Sequence, residues 1–338
     1  MFSFLKHTKP VDAAIRESQV GCFGKLPIYD EFIRHNVNAR SVLELDEWVQ
    51  QGYFHHSKSL QTTADQLGLQ NYTYHFVFTG SGESPSSVIG AMMGSHDKCG
   101  RQYPFVLFKM LPNQYTESLS SSLPCAYQAF FDNAINLCST DWSLQPINML
   151  KKRVDALNVM KEPISRAYLM ESEIKALDAI RRDDFWREML GDDAKDKAPV
   201  YIEVMKDLLA TVVRKLPLRT SWGIEIPLPA NERTHVHVSF WVRVAETMLG
   251  CRGWRPHYIW GDVNDPVNQS LYLFFRPVTP IFFSHLLGRR ADNGILINLR
   301  NECKNQNQVS EMARKIAIMD PDDHMVSAFD EWSSWGSI

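Results

Sequence analysis

A chain of 338 residues, 44% of them hydrophobic, carries enough apolar material for one large α/β domain or two smaller ones. Its net charge of −3 leaves no broad basic footprint for nucleic acid, and no apolar run approaches the roughly 18 to 20 residues of a membrane span. Six cysteines, at 22, 99, 125, 138, 251 and 303, include no CxxC pair, which excludes a zinc knuckle or a dithiol redox motif. Reduced, mostly buried thiols are expected, with no cofactor. Lys6, His7 and Lys9 follow Phe2-Ser3-Phe4-Leu5 too closely for a signal peptide, so a cytosolic protein is expected.

In chain order, residues 1–17 carry little pattern and read as an arm. Val20 to Pro27 reads as a strand whose glycines, Gly21 and Gly24, mark a close approach, and Pro27 ends its pairing. Ser41 followed by Glu44 predicts a capping box, opening a helix with an apolar stripe of Val42, Leu45, Val49 and Tyr53. Tyr72 to Phe78 alternates as a strand does and runs into Gly80-Ser81-Gly82. Val88–Met93 and Tyr103–Met110 read as strands covered on both faces. The short turn 94–101, with a glycine near each end, folds the second of them back against the first.

Helices are predicted near 124–138, 143–160, 171–190 and 200–216, the last stopped by Pro217, with a protease-sensitive polar connection at 191–197. A strand follows at 222–227. Residues 236–249 fit both a strand and a helix, and helix is chosen for most of them. Strands at 256–260 and 270–275 and a helix at 279–287 complete the ordered part, before an acidic, tryptophan-bearing tail after about residue 300. The expected fold is a three-layer α/β/α sandwich around a mixed, largely antiparallel sheet. Its parts are the arm 1–17, an N-terminal region 18–145, a C-terminal region 146–300 packed with it into one unit, and the tail 301–338.

The search for chemistry returns mostly exclusions. Gly24-Lys25 lacks the spacing and the Ser or Thr of a phosphate loop. Ser95, His96 and Asp97 have the residue types of a hydrolase triad, but sequence neighbours point in different directions, and no GxSxG elbow occurs. A Cys–His nucleophile using Cys22 or Cys99 has no local signature. His235 and His237 could share a strand face, yet without an obvious third ligand a hydrogen-bonded pair is favoured over a metal site. Asp97, by contrast, can accept main-chain N–H bonds and pair with Arg101, locking its turn. Trp48 reads as core.

Three stretches resemble the type VI secretion-associated TagF (ImpM) family: GCFGKLPIYDEFI at 21–33, the helix with Asp46-Glu47-Trp48, and GAMMGSHDKCGRQYP at 90–104. Gly21, Gly24, Lys25, Leu26 and Pro27 match the first signature. Asp46 and Trp48 match the second, and Ser95, Asp97, Gly100, Arg101 and Pro104 the third. The resemblance extends more weakly through Glu225–Leu228, Phe240-Trp241, Trp260 and Leu271–Phe275. Where the family has Gly-Asp-Phe this chain has Asp30-Glu31-Phe32, and His96 and Cys99 replace residues commonly apolar there.

The resemblance implies a cytosolic, non-enzymatic, post-translational repressor of type VI secretion that binds the forkhead-associated (Fha) scaffold protein. A binder of this kind needs desolvated anchors with a polar rim. One candidate surface is the 25–34 loop, with Lys25, Tyr29, Glu31 and Arg34. The other is the tail, where Phe329, Trp332, Trp335 and Ile338 recur every three residues, unless the tail folds back on its own domain. The alternative from another class is a hydrolase or ligand-binding enzyme using the 94–101 turn.

Overall fold

The structure, a computed structural model of the chain, describes residues 19–59, 72–80, 84, 86–117, 119–157, 165–250, 254–261, 269–287, 294–306, 308–317 and 323–335. The expected arm at 1–17, residues 81 and 82 of the glycine turn, Ile338, and the side chains of Phe329 and Trp335 lie outside the described residues.

Among the described residues nine strands form one sheet: β1 (Val20–Gly24), β2 (Ile33–His35), β3 (Thr73–Phe78), β4 (Ser86–Met93), β5 (Phe105–Pro112), β6 (Gly223–Pro227), β7 (His257–Gly261), β8 (Ser270–Phe274) and β9 (Leu296–Asn298). Their order is β2-β1-β5-β4-β3-β7-β8-β6-β9, antiparallel throughout except for the parallel pair β6 and β9. The centre is the hairpin of β4 and β5, in register from Ser86↔Pro112 to Met93↔Phe105. Consecutive residues on these strands feed opposite faces, as the pleat requires. Ile89, Ala91, Phe105, Leu107 and Leu111 enter one core, while Val88, Met92, Val106, Phe108 and Met110 enter the other. Because both faces are covered, both strands read as near-continuous apolar runs.

The helices are α1 (Arg40–Ser59), α2 (Asn113–Thr116), α3 (Leu123–Ala126), α4 (Gln128–Cys138), α5 (Ile147–Ala156), α6 (Arg166–Asp178), α7 (Arg182–Leu190), α8 (Ala194–Lys215), α9 (Thr234–Leu249), α10 (Phe282–Leu286), α11 (Leu299–Glu302), α12 (Glu311–Ile316) and α13 (Met325–Trp335). Residues of α1 and α10 cover one face of the sheet, through Val42, Leu45, Trp48, Val49, Phe282 and Phe283. The other face is covered by residues of α3 to α9, with α12 and α13 joining the same core. This is the expected three-layer arrangement around a mixed, largely antiparallel sheet, and 236–249 is helical as chosen.

Several local expectations are corrected. The strand foreseen from Tyr103 begins at Phe105. Ser41 does not precede its helix: α1 already includes Arg40, and the Ser41 hydroxyl meets the Ser86 hydroxyl at 2.8 Å, docking the helix on β4. The helix predicted over 171–190 is two helices. Between them Arg181 pairs with His324, the Arg182 amide donates to the Asp323 carbonyl at 3.0 Å, and the Met325 amide donates to the Ile180 carbonyl at 2.9 Å. The polar connection at 191–197 is a single 3-10 turn, Gly191–Asp193, running straight into the first turn of α8. His235 and His237 lie in helix α9 rather than on a strand, so they do not share a face.

Candidate functional site

The three signature stretches converge at one corner of the sheet, where β1 ends, the 25–34 loop leaves it, and the turn from β4 to β5 passes beside them. Gly24 sits at φ +119, and a Cβ there would lie 2.0 Å from the Pro104 carbonyl oxygen. Only glycine permits both that backbone conformation and that approach, so the first signature and the third are locked together at this point.

Asp97 is the hub. Its side chain is fully shielded from solvent although it lies close to the surface. One carboxylate oxygen accepts the main-chain amides of Cys99 at 3.0 Å and Arg101 at 2.8 Å. The other accepts Arg101 Nε at 2.7 Å and lies 3.0 Å from Lys25 Nζ. Burial alone would raise this carboxyl; the Lys25 hydrogen bond, both Arg101 hydrogen bonds and the Lys25 charge outweigh it and hold the group well below the usual carboxylate range. Gly100, at φ +81, turns the chain, and its amide donates to the Asp97 carbonyl at 2.9 Å. Arg101 then reaches across to donate to the Asp30 carbonyl, and the Lys98 amide donates to the Tyr29 carbonyl at 2.9 Å. The turn and the 25–34 loop therefore hold each other by these contacts with the main chain as well as by the Lys25–Asp97 ion pair.

The second signature buttresses the same loop from below. Asp46, on α1, is buried and accepts Arg34 and, at 2.9 Å, Gln50 Nε2. The Arg34 guanidinium also lies 5.5 Å from the centre of the Phe32 ring. Phe32 packs edge-on against Tyr103 at 5.0 Å, and Tyr103 lies 5.1 Å from Tyr53, whose hydroxyl donates to the Gln102 carbonyl at 2.9 Å. Trp48 lies in the core against Phe78 and Phe283.

What this corner presents outward is a contiguous set of exposed residues: Tyr29, Asp30, Glu31 and Arg34 from the loop, and Lys98, Cys99, Gly100 and Arg101 from the turn. Of the residues singled out in the sequence, Lys25 faces inward to Asp97 and is only 17% exposed at its side chain, whereas Tyr29, Glu31 and Arg34 face solvent. Ser95 is buried; its carbonyl accepts the Tyr103 amide at 3.0 Å. Trp332 is placed elsewhere and differently from the docking edge foreseen for the tail. It is fully buried, as are Met325 and Ala328, and meets Phe240 edge-on at 6.1 Å, so Trp332 packs against the chain's own helices. Phe32, Tyr53 and Tyr103 were not read as parts of one site in the sequence, where Tyr53 belongs to the apolar stripe of a helix and Tyr103 to the start of a strand, because nothing local ties residues 32, 53 and 103 to one another.

The turn does not have the geometry of a proton relay. His96 Nδ1 lies 2.9 Å from the Asp97 main-chain oxygen, while the Asp97 carboxylate is engaged by Lys25 and Arg101. His237 Nε2 lies 3.0 Å from Glu188 and its ring stacks on Phe185 at 3.9 Å. Among the described residues no group of three or more His, Cys, Asp or Glu side chains is placed to hold a metal ion, and no helix is long and apolar enough to cross a membrane.

Comparison with known proteins adds a family to this geometry. Residues 21–157 match the model of the TagF N-terminal domain, type VI secretion system-associated. The crystal structure of PA0076 from Pseudomonas aeruginosa PAO1 is similar at a TM-score of 0.46 and 14% identity, over 80% of this chain and 94% of that one. No curated protein matches the chain. The matched segment holds all three signature stretches, and the chain thus carries, over residues 21–157, the TagF N-terminal domain associated with type VI secretion.

Proposed function

We propose that this protein is a cytosolic post-translational repressor of type VI secretion that acts by binding the Fha scaffold, with no bond made or broken. The family match supports the secretion context. The observation that carries the binding reading is the corner itself: Lys25, Asp46, Asp97 and Arg101, the charged residues that match the signatures, are spent on stiffening two adjacent loops, and the stiffened loops hold Tyr29, Glu31, Arg34 and Lys98 exposed. A preorganised surface bearing an aromatic and charges of both signs is what a specific protein contact requires. Regions 18–145 and 146–300 are taken as one unit, a reading supported by the pairing of β3 with β7 within a single sheet.

The test is secretion. Overproducing the protein in its host is expected to stop effector release while the levels of the machine's components stay constant, and tagged protein is expected to bring Fha with it. Tyr29→Ala with Glu31→Lys, which leaves the Asp97 and Asp46 ion pairs untouched, is expected to lose both effects without lowering Tm. Release that continues in the presence of the folded, abundant wild-type protein overturns the proposal.

A further inference from the structure

Helix α8 ends at Lys215 and passes through Leu216 into a single 3-10 turn, Pro217–Arg219. Val213, Leu216 and Leu218 are 41%, 55% and 74% exposed there, interleaved with exposed Arg214, Lys215 and Arg219. Leu216 has φ +68, which a leucine adopts only under constraint. The constraint is visible. The Leu216 amide donates to the Val213 carbonyl at 3.3 Å, and the Leu216 carbonyl accepts the Arg219 amide at 3.1 Å and the Thr220 hydroxyl at 3.3 Å. The Thr220 amide closes the turn on the Pro217 carbonyl at 2.9 Å, and Val212, Pro217 and Thr220 are buried beneath it. The backbone is thus held in a strained form that keeps two leucines pointing into water.

Cations in the last turn of a helix ordinarily answer its dipole, which accounts for Arg214 and Lys215. It does not account for Arg219, nor for three exposed apolar side chains among them. Asp207, two turns back, is in electrostatic contact with Arg214. Residues 213–216, 218 and 219 are all exposed, so the tip stands out from the surface and does not line a groove of the kind a peptide needs. A convex, cationic, leucine-bearing tip matches a soft anionic surface: the leucines enter the boundary between headgroups and acyl chains while the three cations meet lipid phosphates. We propose that the 213–219 tip docks this protein on an anionic lipid bilayer. The inference does not depend on binding to Fha.

The test is flotation of the purified full chain with vesicles of phosphatidylcholine alone or mixed with phosphatidylglycerol, at low and high salt. Binding is expected with the anionic vesicles only, and is expected to fade as salt rises. Leu216→Ser with Leu218→Ser, and separately Arg214→Glu, Lys215→Glu and Arg219→Glu together, are each expected to weaken it by more than about tenfold. Leu216→Gly, which relieves the backbone, is expected to leave Tm equal or higher and still to weaken binding, separating the tip's role from folding. Equal binding to neutral vesicles, no binding to either, or full binding by the leucine variants overturns the proposal. So does a dimer in light scattering that the leucine variants abolish while vesicles stay unbound, since the tip then faces a second copy of the chain.

Discussion

A single carboxylate at position 97 answers two cations and two main-chain amides, and its substitution should be felt in a pH-dependent way. Asp97→Asn keeps the shape but leaves Lys25 and Arg101 without their counter-charge. Because Arg101 is 62% exposed and water replaces part of what it loses, we expect a cost of about 2 kcal/mol at neutral pH. The wild-type carboxyl is held low in the folded chain, so the unfolded chain binds the proton first as pH falls. The contribution is therefore complete above roughly pH 4 and is lost as the pH falls below that, toward the depressed folded value. Urea denaturation of both proteins should show the deficit of the variant shrinking below pH 4; a deficit independent of pH would mean that charge is not what Asp97 contributes. The two glycines of the corner separate close approach from backbone preference. Gly24→Ala meets the Pro104 carbonyl and should destabilise by more than about 3 kcal/mol, whereas Gly100→Ala has open space around its Cβ and should cost only about 1 to 2 kcal/mol.

Helix α13 is an element whose role depends on partners far away in the chain. Arg182, 1% exposed at its side chain, lies 2.9 Å from Asp323 and 3.2 Å from Glu331, and donates to the Ser327 hydroxyl at 2.8 Å. Met325, Ala328 and Trp332 complete the seam as fully buried residues. Trp332→Ala should therefore cost about 3 to 5 kcal/mol by emptying a large core site. A docking tryptophan would be nearly neutral to stability, so an unchanged Tm in this variant would return the tail to the surface. This element also marks the boundary of what the sequence could reveal. The hairpin of β4 and β5 was legible because its strands are neighbours, both faces are buried, and the turn between them is short and glycine-bounded. The lock of Asp97 with Arg101 was legible for the same reason, four residues apart in one turn. The break at 179–181 was not, because its causes sit some 140 residues on, at Asp323, His324 and Met325, and helical periodicity simply continues through it. Likewise no local pattern links Arg34 with Asp46, or Phe32 with Tyr103; the sheet brings them together.

Taken as a whole, the molecule packs uncharged imidazoles against both faces of the sheet, and this should govern its response to mild acid. His75 lies between Trp260, stacked at 5.0 Å, and the edge of Phe131, and burial lowers its pKa to about 4. His257, 1% exposed and edge-on to Phe78, is lowered to about 3 by burial and by the charge of Arg255. His235 is lowered to about 4, mainly by burial. Each takes up a proton near pH 6.5 in the unfolded chain but not in the folded one, so the unfolded state binds more protons between pH 6.5 and 4. Stability contributed by the neutral rings is complete above about pH 6.5 and is lost as pH falls toward the folded values. Each histidine adds a slope of about 1.4 kcal/mol per pH unit within that window, so the three together give up to about 4 kcal/mol per unit. Glu246, raised by burial, acts in the opposite sense and offsets part of this. Urea midpoints measured at pH 7.5, 6.5 and 5.5 should fall slightly across the first interval and about three times as far across the second. With Glu246→Gln removing the opposing carboxyl, a midpoint that holds steady down to pH 5.5 would require these rings to be protonated inside the fold, which the aromatic packing around His75 and His257 opposes.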